Sequence, residues 1–185
     1  MTDGAGLMTA SRHVVITGCS GGGKSTLLAE LARRGHAVVE EPGRRVVEAQ
    51  ARAGGSALPW VDMAAFLARV FALAARDRVR MQDIPGWVFF DRGLVDAAVA
   101  LHEIDGAPWQ ARLGAQPVYH RRVFMVPPWP GIYVQDGVRR HGLDAAVQEY
   151  ERLCRAYPAL GYAVSDVPRD SVQARADFIL SALRA

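Results

Sequence analysis

The 185-residue chain contains no asparagine and a single lysine, Lys24, beside 21 arginines. It has only two cysteines, Cys19 and Cys154, and no apolar run that approaches the ~18 residues a membrane helix needs. Two distant cysteines make no disulfide framework, and with no export signal a reducing cytoplasm is the expected setting. Residues 1–11 are small and polar and carry no apolar core of a signal peptide, so they read as a flexible tail, with both Met1 and Met8 available as starts. The net charge is only +3, and the basic residues do not gather into a stripe. Nucleic acid is therefore not an expected partner, and neither is a membrane. Arginine pairs such as Arg33-Arg34, Arg44-Arg45, Arg121-Arg122 and Arg139-Arg140 fit a solvated surface.

What is present is one domain's worth of chain, half of it apolar. A GC-rich coding bias accounts for missing asparagine and lysine without any appeal to function. A lysine that persists under such a bias marks a place where arginine does not serve. Lysine is a point charge on a thin stem, whereas arginine is a wide planar fork.

Apolar runs and turn signals give an alternating order of strands and helices. His13 to Thr17 reads as a buried strand, and Lys24 to Arg34 as a helix with Leu27, Leu28 and Leu31 on one face. A strand over Ala37–Glu40 precedes a helix over Arg44–Ala53. A longer helix runs from Pro59 to about Gln82, with Met63, Phe66, Leu67, Val70, Phe71 and Ala74 as its buried stripe. Trp87 to Phe90 is the third strand and Val95 to His102 the next helix. The stretch from Asp105 to His120 is loop-rich. Val123 to Val126 is the fourth strand, ended by Pro127-Pro128. Leu143, Val147, Tyr150, Cys154 and Tyr157 mark a helix stopped by Pro158. Tyr162 to Val164 is the fifth strand, and Asp170 or Ser171 caps a last helix. Such alternation implies a parallel sheet covered on both faces, in a domain spanning residues 12–185.

Between the first strand and first helix stands Gly18-Cys19-Ser20-Gly21-Gly22-Gly23-Lys24-Ser25, which fits G-x-x-x-x-G-K-[ST]. Glycines let the backbone curl so that several N–H groups face one phosphate chain, and the helix adds its partial positive end. Lys24 is placed to reach the β- and γ-phosphates, and the Ser25 hydroxyl to hold Mg²⁺. Gly18, Ser20, Gly21, Gly22, Gly23, Lys24, Ser25 and Thr26 are the expected nucleotide contacts, with ATP as the nucleotide. Cys19, beside helix-terminal N–H groups, is expected to be a reactive thiol protected by bound nucleotide, or else a core side chain. Asp91 ends the third strand, where a carboxylate orients Mg²⁺, or caps the helix that follows. Glu41 ends the second strand. Ligands of open parallel sheets lie beyond the carboxyl ends of strands, so Glu41 and Asp91 should face one crevice with the glycine loop. There Glu41 could take the proton of an acceptor hydroxyl, or it is a solvated loop acid.

At these residues the chain resembles the small P-loop kinases of nucleosides and nucleotides. Deoxynucleoside kinases carry Glu-Pro after the second strand and Asp/Glu-Arg-Ser after the third; here those read Glu41-Pro42 and Asp91-Arg92-Gly93. The pattern is also similar to small bacterial predicted AAA-type ATPases related to the kinase part of nicotinamide riboside kinases. The resemblance runs from Arg12 to Leu183. It implies a three-layer P-loop fold with a five-stranded parallel sheet in the order 2-3-1-4-5. It also implies a lid after the fourth strand whose arginines, Arg139 and Arg140, close over the phosphates, and a base-side wall at Asp166–Asp170. Trp129 and Tyr133 are available to stack on an acceptor ring, or to pack.

The expected function is ATP- and Mg²⁺-dependent phosphoryl transfer to a small hydroxyl or phosphate acceptor. The expected catalytic set is Lys24, Glu41, Asp91, Arg92, Arg139 and Arg140, with Ser25 and Asp91 on the metal. A GTPase that reads guanine by an Asn-Lys-x-Asp loop is excluded, since there is neither asparagine nor a second lysine. A ring-forming ATPase usually places glutamate after the strand-end aspartate, where this chain has Arg92. A nucleotide-gated switch acting on a protein partner remains the alternative, and the oligomeric state stays open.

Overall fold

The computed structural model describes residues 11–114, 117–129 and 143–184. Five short runs rich in β-branched and aromatic residues form strands: β1 (His13–Gly18), β2 (Ala37–Val39), β3 (Val88–Asp91), β4 (Arg122–Val126) and β5 (Ala163–Asp166). They pair in parallel in the order β2-β3-β1-β4-β5. That is the order implied by the kinase resemblance.

The central strands are apolar along both faces because both faces are covered. Side chains alternate along each strand. Val15, Val88, Phe90, Val123 and Met125 face one way, into a core shared with Val95, Val99, Leu153 and Tyr157. Val14, Ile16, Phe89, Phe124 and Val126 face the other way, against Leu27, Leu31, Ala176 and Ile179. The covering helices are α1 (Lys24–Arg33), α2 (Pro42–Ala53), α3 (Met63–Arg80), α4 (Leu94–Asp105), the short α5 (Trp109–Leu113), α6 (Leu143–Ala159) and α7 (Val172–Ala182). Helices α1 and α7 lie together on one face; α3, α4 and α6 line the other. The result is three layers.

Several boundaries differ from the sequence expectation for local reasons. The second helix begins at Pro42, since proline fits the first helical position and needs no N–H there. The third begins at Met63 rather than Pro59, because the Asp62 carboxylate accepts from the Ala65 N–H at 2.9 Å and sets the cap. The loop-rich stretch holds α5. Helix α6 does not stop before Pro158 but carries it in its last turn, one residue before the end. Ser171, not Asp170, caps α7, accepting from the Ala174 N–H at 3.3 Å. Arginine pairs read as solvated surface also hold elements together. Arg34 joins Glu30 of α1 at 2.8 Å to Asp177 of α7 at 2.5 Å, and Arg45 of α2 holds the buried Asp77 of α3 at 2.5 Å. No helix among the described residues is long and apolar enough to cross a membrane.

Candidate active site

The carboxyl ends of β1, β2 and β3 meet at the start of α1. Gly18 ends β1 with φ +110°, and a Cβ there would lie 2.3 Å from the Val126 carbonyl oxygen. A Cβ on Gly22 would lie 2.5 Å from the Val126 side chain. Glycine at these two places lets the loop seat itself on the end of β4, where the Cys19 N–H also donates to the Val126 carbonyl at 2.9 Å. Gly23 takes the left-handed conformation before α1 and offers no side-chain cap. The first N–H groups of α1 therefore have no side-chain cap, which is what an anion site at a helix start requires.

Lys24 is the first residue of α1 and is buried, not solvent-facing. Its Nζ donates to the Cys19 carbonyl at 2.9 Å and the Gly18 carbonyl at 3.4 Å. Burial, then Arg92, lowers its pKa, opposed by Asp91, Glu41 and Glu149. Ser25 and Thr26 are exposed at the mouth of the loop, and the Thr26 hydroxyl donates to the Gly23 carbonyl at 2.9 Å. Cys19 is fully buried, and burial pushes its thiol up despite the nearby Lys24. The expected reactive thiol is thus a core side chain.

Asp91 ends β3 opposite Ile16 of β1. Its carboxyl is buried, with Oδ1 free of any hydrogen-bond partner among the described residues. Burial pushes its pKa up to about 6; Lys24 works against this and Glu41 with it. Arg92 is the one described non-glycine residue at positive φ, +62°. Such strain persists where surrounding contacts over-determine it. Here the Arg92 N–H donates to the Ile16 carbonyl at 3.0 Å, and the guanidinium turns back over the glycine loop to the Gly18 carbonyl at 3.1 Å. It also grips Glu149 of α6 through two bonds of 2.7 and 3.1 Å, and Nε lies 3.3 Å from Glu41 Oε1, though poorly aligned with it. Arg92 is therefore not a free fork: its terminal nitrogens are bonded within the protein. Burial works to raise the Glu149 carboxyl, and Arg92 more than reverses that, leaving it below its ordinary range.

A buried layer beneath supports this arrangement. Asp96 accepts from the Gly93 N–H at 2.9 Å, from the Tyr157 hydroxyl at 2.8 Å and from Thr17, with Arg92 3.9 Å away. On the other side of the loop, Arg175 of α7 donates to the Gly22 carbonyl at 3.0 Å and the Gly23 carbonyl at 3.4 Å, with its guanidinium 5.7 Å from the Trp129 ring centre. Trp129 thus packs on a cation. Glu149, Asp96 and Arg175 were not singled out from sequence, and Tyr157 only as part of a helix stripe. Arg139, Arg140 and Tyr133 lie outside the described residues.

The AAA domain family, by its sequence profile, matches residues 13–175. The chain belongs to that family. A comparison with functionally curated proteins returns no match. Among solved structures, the AAA-domain chain is similar to deoxyadenosine kinase from M. mycoides with bound dATP (12% identity, TM-score 0.63, 93% of this chain and 99% of that one). It is also similar to NadR protein in complex with NR (19%, 0.69, 94% of this chain and 51% of that one) and to thymidylate kinase from Ehrlichia chaffeensis (17%, 0.61, 95% and 100%). The chain spans about half of the NadR protein. At these identities the likeness establishes the fold, which is that of the P-loop kinases.

Against the kinase pattern, Gly93 stands where deoxynucleoside kinases have serine. The reason is Tyr119. Its buried hydroxyl accepts from the Leu94 N–H at 3.1 Å, and a Cβ on residue 93 would lie 2.5 Å from that oxygen. The residues also fit a magnesium ion. Mg²⁺ commonly takes one or two protein ligands plus substrate phosphates. Among the described residues no cluster of three or more metal-ligating side chains exists, while Asp91 offers one buried, unpartnered oxygen.

Two expected results follow from this geometry. Asp91 has its folded pKa raised above the ordinary 3.8, so the folded state binds the proton more tightly than the unfolded state. Stability is then lost as pH rises from about 4 to 6 and stays lost above. Asp91→Asn should raise Tm at pH 7.5 without nucleotide, by about 2–4 °C for each kcal/mol relieved, and the gain should vanish near pH 4. A lower Tm at pH 7.5 would mean that the carboxylate is a structural cap. Arg175→Met keeps apolar bulk but frees two loop carbonyls. It should weaken binding of a non-hydrolysable ATP analogue by roughly tenfold, the equivalent of about one charged hydrogen bond, measured by calorimetry.

Proposed function

We propose that this chain is an ATP- and Mg²⁺-dependent phosphotransferase acting on a hydroxyl or phosphate oxygen of a small acceptor, of the nucleoside or nucleotide kind. The observation that carries this reading is the convergence of Glu41 and Arg92, from the ends of two neighbouring strands, beside Lys24 and Asp91 at the glycine loop. Glu41 comes from the neighbouring strand and not from the position after Asp91, where a ring-forming ATPase usually places its glutamate. Names of similar folds, kinases of deoxyadenosine and thymidylate among them, support a small acceptor.

In this reading the loop N–H groups and Lys24 hold the β- and γ-phosphates. Ser25 and Asp91 would hold Mg²⁺, which would neutralise charge on those phosphates. Glu41, a third exposed, orients the acceptor and takes its proton. Arg92 fixes the position of Glu41, and Glu149 and Asp96 fix Arg92. Catalysis of this kind is positioning plus electrostatic stabilisation.

The test is steady-state ADP formation from Mg·ATP across a panel of nucleosides, nucleoside monophosphates and pyridine ribosides. Stimulation by a member of the panel supports the reading. ADP formation that no acceptor alters would point instead to a nucleotide switch.

A further inference from the structure

We infer that the acceptor is an uncharged or cationic hydroxyl compound, a nucleoside rather than its monophosphate, and that Glu149 enforces the choice. The inference rests on the phosphotransferase reading and narrows it.

A phosphate-bearing acceptor is usually held by a bidentate arginine. Beside Glu41 that arginine is Arg92, and both terminal nitrogens of its fork are already bonded, while Nε faces Glu41 without an aligned hydrogen bond. Two nitrogens hold Glu149 at 2.7 and 3.1 Å, one of them also donates to the Gly18 carbonyl at 3.1 Å, and Nε sits 3.3 Å from Glu41. The guanidinium is buried, so a phosphate would have to displace a carboxylate already bound through two bonds. Glu149 lies 57 residues along the chain from Arg92, on a different helix. Its bond to Arg92 is a tertiary contact and not a by-product of local helix geometry.

The charge balance points the same way. Around Arg92 and Lys24 stand four carboxylates, Glu41, Asp91, Asp96 and Glu149, with Arg152 beside Glu149, a formal sum of −1 among these described residues. Lys24 is committed to the triphosphate, which adds more negative charge. A dianionic phosphate entering beside Glu41 meets repulsion that a neutral alcohol does not, and a cation is attracted. Selectivity by built-in repulsion is a common device.

Glu41 also stands close to an aromatic edge. A Cβ on Gly43 would sit 3.7 Å from Glu41 Oε1 and 3.6 Å from the Phe66 ring. A carboxylate and an aromatic ring edge thus lie together at the start of α2. The acceptor O–H passes its proton to Glu41 as its oxygen bonds the γ-phosphorus. The bond from that phosphorus to the β-bridging oxygen breaks, and its electron pair leaves on ADP.

The experiment pairs adenosine, thymidine and a pyridine riboside with their own 5′-monophosphates. ADP formation is measured with Mg·ATP, and Tm with Mg²⁺ and a non-hydrolysable ATP analogue. Wild type should favour a nucleoside over its monophosphate in kcat/KM by on the order of 10²-fold or more. Glu149→Gln, which keeps shape and removes the charge, should gain a Tm shift with monophosphates that wild type lacks. Monophosphates preferred by wild type would overturn this inference and leave the phosphotransferase reading standing. A folded Glu149→Gln with no gain would remove the role of Glu149. If no acceptor of either class raises ADP formation, the phosphotransferase reading falls and takes the inference with it. Should Glu149→Gln fail to fold, the wild-type pairs decide alone.

Discussion

Lys24→Arg is expected to lose triphosphate turnover about as completely as Lys24→Ala, by on the order of 10²–10³-fold or more. The lysine stem is buried at the start of α1, and its ammonium sits between two loop carbonyls at 2.9 and 3.4 Å. A thin stem with a point charge fits there. A planar fork needs width that the backbone of residues 18 and 19 occupies. The fold should survive either change, although Lys24 is buried. Burial lowers the folded pKa of Lys24, so the charged form is disfavoured in the folded protein relative to the unfolded chain. Removing the charge relieves that cost. Lys24→Met, which keeps the apolar stem, should match or exceed the wild-type Tm without nucleotide while showing no turnover. Near-normal ADP formation by Lys24→Arg would make the lone lysine an accident of coding bias.

The fold was legible in the sequence because its signals are local. Strands buried on both faces read as short apolar runs, and the glycine loop is eight contiguous residues between one such run and a helix. The strand order followed from resemblance, and the pairing bears it out. The site was legible only where its residues lie at strand ends. Glu41, Asp91 and Arg92 could be placed near Lys24, since all follow parallel strands. Their partners could not. Glu149 contacts Arg92 across 57 residues, Tyr157 contacts Asp96 across 61, and Arg175 contacts Gly22 across 153. No periodicity connects such pairs. One signal was available in retrospect: Asp96 stands three residues after Gly93, the spacing of a helix-start carboxylate that turns back to the backbone. A second was chemical. An arginine at a strand end, next to a lysine and expected to be buried, needs more than one counter-charge, which invites a search for an acid on a later helix.

Glu41→Gln should reduce acceptor-dependent ADP formation by roughly 10²–10⁴-fold, the usual span for loss of a general base. Affinity for Mg·ATP should hold, because the loop and Lys24 grip the triphosphate from β1 and α1. The Tm should also hold, since Glu41 is a third exposed and its contact with Arg92 is poorly aligned. Arg92 variants should behave differently. Arg92→Ala leaves Glu149 without its bidentate partner and keeps a side chain at φ +62°, so it should lower Tm as well as turnover. Arg92→Gly loses the same bonds but relieves the backbone, and should recover part of the Tm and none of the turnover. The pattern separates a proton-accepting role from a positioning one. Loss of turnover in Glu41→Gln with unchanged Tm places the acid on the acceptor, whereas loss that follows Tm across all three variants places it in the scaffold. A chain that only hydrolyses ATP would show no acceptor dependence in any variant, and Glu41→Gln would then change little, which would remove the kinase reading.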